Sequence, residues 1–254
     1  MNIYKVNELT WDYLDRMDRS KVLCILPVGA LEQHGKHLPL GTDDLILENS
    51  LKEITPIMAY PESSILIYPH VKYGNSVEHM FFPGTVSLKL TTLMCVIEDI
   101  VESMVSSGFK NILIINSHGG NSSILQSLAQ ELRYKYGIRI FNVDYWASDY
   151  FAFAEDIIDA KLDEECHAGE IETSLLMHWT PKLVQMDNAT KMELEEIVDF
   201  YRYDFSWLSS DVSESGVIGN ATHSSPEKGR KLAEQMNHKL SLILEEIFSL
   251  LSDD

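Results

Sequence analysis

Glu32 and His34 stand two residues apart in Gly29-Ala30-Leu31-Glu32-Gln33-His34-Gly35-Lys36-His37-Leu38-Pro39-Leu40-Gly41-Thr42-Asp43-Asp44. In an extended segment residues i and i+2 point the same way, so a carboxylate and an imidazole face one spot. Two glycines and a proline downstream let the chain double back and bring Asp43 to the same place. One imidazole and two carboxylates reaching a single point form a ligand set for Zn²⁺ or Mn²⁺. The plain alternative is a polar loop with ordinary hydrogen-bonded acids.

Three further clusters weigh on that choice. Ile112 to Ile115 run straight into Asn116-Ser117-His118-Gly119-Gly120-Asn121. Its glycines allow backbone to approach a ligand closely. No lysine follows them at phosphate-loop spacing, so His118 reads better as a further metal ligand than the loop does as an anion cradle. The third cluster, Cys166-His167-Ala168-Gly169-Glu170-Ile171-Glu172-Thr173-Ser174, follows the acids Asp163, Glu164 and Glu165 and opens a helix near Gly169. Glu172 offers the metal another carboxylate. His167 offers a general acid or base, and the preceding acids favour its protonated form. Cys166 lacks a thiolate-stabilising setting and is not read as a nucleophile. The fourth cluster, Gly74-Asn75-Ser76-Val77-Glu78-His79-Met80-Phe81-Phe82-Pro83-Gly84-Thr85, is glycine-bounded and aromatic, and Glu78 and His79 read as a pocket wall.

These clusters need a scaffold. Continuous apolar runs at 22–28, 65–68, 111–116 and 138–143 read as strands buried on both faces. Residues 91–107 carry Leu93, Ile97, Ile100, Val101, Met104 and Val105 at helical spacing, with Gly108 as the stop. Residues 120–135 place Ile124, Leu125, Leu128 and Leu132 on one helical face. The last helix spans 226–251, with Leu232, Met236, Leu240, Ile243, Ile247 and Leu251 facing the core. The βαβ rhythm predicts an α/β fold with a mostly parallel sheet covered on both faces. In such sheets ligands bind beyond the carboxyl ends of strands, which is where the first two clusters lie. The acidic, aromatic stretch 191–215 breaks the rhythm and reads as an irregular acidic surface segment, with an inserted lid or an oligomer contact as the alternatives.

Composition sets the outer bounds. The 254 residues are 45% hydrophobic and 23% charged, with no internal repeat or linker, which predicts a single globular domain over 1–254. Twenty basic against 39 acidic residues leave a net charge of −19, which repels phosphate backbones and anionic lipid. Neither a nucleic-acid nor a membrane partner is expected, and the partner is read as a small-molecule substrate. The mixed-charge start of the chain lacks a signal-peptide core, so the expectation is a cytoplasmic protein. Three scattered cysteines give no disulfide framework, and Cys24 and Cys95 both read as small buried hydrophobes.

Taken in order, these motifs resemble the creatininase (creatinine amidohydrolase) family. The resemblance rests on Gly29 to Gly35 with His37-Leu38-Pro39-Leu40 and Thr42-Asp43, then Glu78-His79 with Phe82-Pro83-Gly84-Thr85, then His118-Gly119-Gly120-Asn121. It continues through His167-Ala168-Gly169-Glu170 with Glu172-Thr173-Ser174, and Gly216-Val217-Ile218-Gly219 followed by Ser225-Pro226-Glu227-Lys228-Gly229. It implies a three-layer α/β/α fold and a two-metal site. Glu32, Asp43 and His118 match the ligands of one ion. His34, Asp43 and a further carboxylate match those of the other. The ions, Zn²⁺, Mn²⁺ or Fe²⁺, one or two per chain, would activate water against a carbon–nitrogen bond of a cyclic or formyl amide. His167 matches the family's catalytic histidine, and a homo-oligomer, often a hexamer, is implied.

This chain departs from the namesake. Gly120 stands where the namesake has a metal-binding glutamate, so Glu172, or failing it Glu170, must supply the carboxylate. The namesake's substrate-stacking tryptophan is unmatched, with Trp146 as the substitute, and Lys36 replaces a proline. Gly119, Gly120 and Asn121 are expected beside the substrate with Glu78 and His79. Relatives with His-Gly-Gly-Asn act on formamidopyrimidines, peptide-derived cofactor precursors and oxidised sugars or inositols. The alternatives are therefore a metal-dependent hydrolase or lyase of a keto-sugar or keto-polyol, and a non-catalytic metal-dependent binding module. The intact candidate proton donor argues against the latter.

Overall fold

The computed structural model describes residues 1–147, 150–192 and 206–252. Five parallel strands form one sheet: β1 (Asn2–Lys5), β2 (Val22–Val28), β3 (Ser64–Ile67), β4 (Asn111–Asn116) and β5 (Arg139–Asp144), in the order β1-β3-β2-β4-β5. Three of the four apolar runs form strands buried on both faces; the fourth, β5, was expected to be buried likewise but lies at the sheet edge with only Val143 buried. Every residue of β2, β3 and β4 is buried. Strand β1 escaped the sequence reading because it is a short edge strand with no buried residue. β3 and β5 lie one residue away from their expected limits.

Alternate residues along β2 serve two separate cores. Leu23 and Ile25 join Ile65, Ile67, Leu113 and Ile115 under helices α2 (Thr42–Lys52), α5 (Glu170–Trp179) and α7 (Pro226–Ser252). Val22, Cys24, Leu26 and Val28 join Leu66, Ile112 and Ile114 under α3 (Leu90–Ser106) and α4 (Ser122–Tyr136). The result is the three-layer α/β/α sandwich. Two short helices complete the elements, α1 (Trp11–Asp15), whose Leu14 packs on the second of these cores, and α6 (Ser209–Val212).

α3 ends as expected, with Gly108 at φ +88. Its core stripe is Leu93, Ile97, Val101 and Met104, which leaves Cys95 exposed, contrary to the expectation of a buried thiol. Cys95 is two residues beyond Leu93, a 200° turn of the helix, so it faces outward. Cys24 is buried. Much of the stretch 191–215 lies outside the described residues; within it, Lys191 bridges Asn220 and Ser209–Val212 forms α6. No helix among the described residues is long and apolar enough to cross a membrane.

Val28 is paired with Asn116 across the two central strands. From β2 the chain crosses to β3 on one side, and β4 lies on the other. The crevice above β2 and β4 is therefore the switch point at which open α/β sheets bind ligands.

Candidate metal centre

Beyond β2 the chain runs through a loop tied down by backbone. Glu32 N–H donates to the Leu40 carbonyl at 3.0 Å, Val86 N–H to the Leu31 carbonyl at 2.9 Å, and Gln33 N–H to Thr85 Oγ1 at 3.0 Å. The Glu32–Leu40 bond closes the doubling-back of the chain. Asp43 arrives on the first turn of α2, a helix that no apolar periodicity in the sequence marks. Helix N–H groups favour a carboxylate there. Its neighbour Asp44 anchors the turn through His70 at 2.8 Å and Lys72 at 2.7 Å.

His118 follows β4 directly. Asn116 clasps it, Oδ1 accepting the His118 N–H at 3.2 Å and Nδ2 donating to its carbonyl at 2.7 Å. His167 is held by reciprocal backbone bonds with Ile218 at 2.9 and 2.8 Å. Glu172 lies on the first turn of α5, where the Ala168 N–H donates to its Oε2. Ala168 adopts φ +53 to do so, a left-handed conformation that costs a non-glycine residue about 1 kcal/mol or more.

Six buried side chains converge: Glu32, His34, Asp43, His118, His167 and Glu172. Asp43 lies among them, with Oδ1 3.5 Å from His34 Nε2 and Oδ2 3.8 Å from His118 Nδ1. Glu32 Oε2 is 3.2 Å from His118 Nδ1, and Glu172 Oε1 is 3.6 Å from His34 Nε2. Ligand atoms of Glu32, Asp43 and His118 lie within 4.8 Å of one another, as do those of His34, Asp43 and Glu172, and those of Glu32, His34 and His167. Both Glu32 oxygens, Asp43 Oδ2 and His34 Nε2 are buried without a hydrogen bond. Unpaired carboxylate oxygens in the interior cost several kcal/mol, and a divalent cation removes that cost. Imidazole nitrogen with carboxylate oxygen suits Zn²⁺, Mn²⁺ or Fe²⁺, so these residues fit such ions.

Each imidazole is anchored through its far nitrogen. His34 Nδ1 is 3.2 Å from the Glu32 carbonyl, His118 Nε2 is 2.9 Å from the Asn75 carbonyl, and His167 Nε2 is 2.7 Å from the Gln33 carbonyl. A carbonyl only accepts, so those nitrogens carry protons. The opposite nitrogens face the cluster, the arrangement that metal-binding histidines adopt.

The charges are strongly coupled. Burial raises the Asp43 carboxyl, Glu32 adds to it, and His34 and His118 only partly offset them, leaving it at about 7. Burial opposes the charged form of His118, but Glu32, Asp43 and Glu78 outweigh it and raise the ring to about 10. His34 is raised well above the ordinary value against the same burial, by Asp43 and Glu172. His167 goes the other way, lowered to about 4 by burial and then by His34. The expectation of a protonated His167 is therefore corrected. Of its acidic neighbours in sequence, Glu165 is taken up by the N–H groups of Glu170, Ile171 and Asn220, and Glu164 by Lys161.

A cavity of about 560 Å³ opens over the cluster, lined by Glu32, Asp43, His118, Gly119, His167, Glu172 and an aromatic wall. In that wall Trp146 stacks on Phe151, centroids 5.1 Å apart and planes at 17°, with the indole N–H donated to the Ser117 carbonyl. Cys166 also lines the cavity, its thiol pushed up to about 11 by desolvation and then by Glu172, Glu165 and Glu78.

Four residues expected beside the substrate do not line this cavity. Asn121 is a clasp between loops, accepting the Asn75 N–H at 2.9 Å and donating to the Gly29 carbonyl at 3.1 Å. Gly120 has no room for a side chain: a Cβ there would meet the Asn75 carbonyl oxygen at 2.4 Å, His118 Nε2 at 2.5 Å and Glu78 Oε1 at 2.6 Å. Glu78 lies behind His118, 3.6 Å from Nε2. His79 lies behind Glu32, its Nε2 3.3 Å from Oε1. Glu170 is turned away from the cluster, accepting the Asp159 and Ala160 N–H groups and the Lys228 ammonium. The sequence reading missed Gln33, Phe151 and Ser209. Gln33 sat between two residues singled out for their charge, whereas the distant Phe151 and Ser209 carried no pattern.

Comparison with known proteins places the chain in a family. Residues 7–244 match the family model described as Creatininase: Creatinine amidohydrolase. A mycofactocin precursor peptide peptidase from Mycolicibacterium smegmatis is 30% identical over 215 residues, 84% of this chain and 81% of that protein. A creatinine amidohydrolase from Pseudomonas putida is 29% identical over 249 residues, 90% of this chain and 91% of that protein. A solved manganese form of creatininase superposes with a TM-score of 0.77 at 27% identity, over 96% of this chain and 98% of the other. The chain belongs to the creatininase family.

Proposed function

We propose that the chain is a divalent-metal-dependent amidohydrolase that cleaves a carbon–nitrogen bond of a cyclic or formyl amide, with two cations sharing Asp43. The observation that carries this reading is the placement of Asp43, buried between His34 and His118 with Oδ2 unpartnered. Glu32, Asp43 and His118 would hold one ion, and His34, Asp43 and Glu172 the other. Bound there, such ions would supply Lewis acidity, lowering the pKa of a water and stabilising charge on a carbonyl oxygen. His167 keeps its Nε2 proton on the Gln33 carbonyl, so Nδ1 is free to take the water's proton and return it to the leaving nitrogen. Trp146 and Phe151 offer a flat apolar face to a planar substrate, and Gly119 leaves the mouth open. The relatives named as an amidohydrolase and a peptidase support amide hydrolysis, and the manganese form supports the choice of ion.

Elemental analysis of protein purified without chelator should find one or two equivalents of zinc, manganese or iron. Chelation should abolish turnover of cyclic amides, formyl amides or short peptides, and the metal should restore it. A metal-free chain with full activity would overturn the reading. The same proposal includes a closed homo-oligomer, supported by exposed Val77, Met80 and Phe81 beside the site and checked by analytical ultracentrifugation. A cytoplasmic setting is supported by three unpaired thiols, Cys24, Cys95 and Cys166.

A further inference from the structure

We infer that Gln33 is a positioning residue that sets the tautomer of His79 and, through it, the hold on Glu32. The chain of reasoning begins at two backbone groups whose roles are not interchangeable. The Gly35 N–H can only donate, and it lies 2.9 Å from Gln33 Oε1. The Gly216 carbonyl can only accept, and it lies 3.1 Å from Gln33 Nε2. Turning the amide over would set donor against donor and acceptor against acceptor, so its orientation is fixed. The same Nε2 lies 2.9 Å from His79 Nδ1. An NH₂ group has no lone pair to offer, so Nδ1 must be the acceptor and the ring proton must sit on Nε2. That proton lies on the ring edge nearest Glu32, with Nε2 3.3 Å from Oε1, a charge contact that attracts the carboxylate without forming a hydrogen bond. The Ser209 hydroxyl, 2.7 Å from Nδ1, can donate to the same lone pair.

The surroundings are built for this amide. Gln33, His79 and Ser209 are buried. Gly216 adopts φ +84, and a Cβ on it would lie 2.0 Å from Gln33 Oε1, so only a glycine lets the amide lie against that turn. The Gln33 main chain does parallel work: its carbonyl takes the His167 Nε2 proton at 2.7 Å, and the His167 and His79 rings stack with centroids 4.1 Å apart. One residue between two candidate ligands thus orders both neighbouring imidazoles. The opposite tautomer of His79 would aim a lone pair at Glu32 and repel it.

The consequence for metal affinity rests on the reading of Glu32 as a ligand; the tautomer itself does not. The test is ¹⁵N spectroscopy of histidine-labelled, metal-free protein, with Mn²⁺ titrations of wild type, Gln33→Glu and Gln33→Met. Wild type should show His79 protonated on Nε2. In Gln33→Glu a carboxylate oxygen faces Nδ1, and His79 should become Nδ1-protonated or doubly protonated. Mn²⁺ affinity should then fall about 10- to 100-fold, the range for groups that orient metal ligands. Gln33→Met, which keeps the volume but donates nothing, should fall between the two. Wild-type His79 protonated on Nδ1 alone would overturn the inference, as would a Gln33→Glu protein with unchanged His79 signals and unchanged Mn²⁺ affinity. Failure of wild type to bind Mn²⁺ or Zn²⁺, with the Nε2 tautomer observed, would instead count against the metal centre and leave the positioning of His79 standing.

Discussion

At the scale of single residues, His167 and Glu172 lie five residues apart but face different partners, Glu32 and His34. The His167 Nδ1 is 3.8 Å from Glu32 Oε1 and can be read as base or ligand. His167→Asn separates these roles. If His167 moves the proton, metal content and folding persist while turnover falls about 10²- to 10⁴-fold. Loss of metal with preserved turnover per remaining ion would make it a ligand. Glu172 faces His34, whose Nε2 has no hydrogen-bond partner. Glu172→Gln should weaken the second ion by at least about 100-fold, beyond the usual cost of an orienting group, and leave the first nearly intact. A two-step Mn²⁺ titration reads both affinities, and unchanged binding at both steps would remove Glu172 from the ligand set.

At the scale of elements, the metal centre depends on helices far from it in sequence. Glu172 rides on α5, and α5 packs on α7 where Gly229 meets Ser174. A Cβ on Gly229 would lie 1.8 Å from the Ser174 carbonyl oxygen, so the two helix backbones are in contact there. Gly229→Ala must push the helices apart. It should destabilise the fold by about 1–3 kcal/mol, the usual cost of overpacking, and shift Glu172 away from His34. Thermal denaturation reads the first effect and Mn²⁺ titration the second. A variant as stable as wild type would show that α5 and α7 yield without strain.

For the whole molecule, the central question is how so acidic a chain tolerates its own site. Without ions, protons take their place: His34 and His118 are raised and Asp43 stands at about 7. Metal uptake must displace these protons, so affinity should rise with pH. Calorimetry in buffers of different ionisation enthalpy counts the protons released. The sign for stability follows from the same shifts. His118 contributes stability that is complete below its unfolded value of 6.5 and is lost as pH rises toward about 10. Asp43 binds its proton more tightly when folded, so its contribution is lost between 3.8 and about 7. His167 and His37, each lowered to about 4, act only below 6.5, where their contribution fades as pH falls. Chelated protein should therefore melt at lower temperature as pH rises above 6.5. Saturating Mn²⁺ should flatten or reverse the trend, because a ligand bound to the native state stabilises it. A melting temperature independent of pH in chelated protein would show that these groups are not coupled as described.

Much of this was legible in the residues alone. Short apolar runs bounded by turn signals suit strands buried on both faces, which is why β2 and β4 were readable to the residue, whereas the edge strand β5 keeps only Val143 buried. Ionisable residues just beyond strand ends have few reasons to be there, so Glu32, His34 and His118 could be picked out before their meeting was seen, and Asp43 with them through the glycines and proline that double the chain back. Family motifs in order supplied the three-layer fold. Tertiary structure alone decided what depends on contacts between distant segments. It put Asp43 on a helix turn, because the N-terminus of α2 favours a carboxylate that local pattern cannot distinguish from loop. It removed Glu78, His79, Gly120 and Asn121 from the cavity wall and gave Gln33 partners at Gly216 and His79. It also reversed the expected charge of His167, because burial and a facing imidazole outweigh acids that adjoin it only along the chain. Sequence states which groups the chain carries; their protonation, partners and exposure are set by what folding brings within a few ångströms.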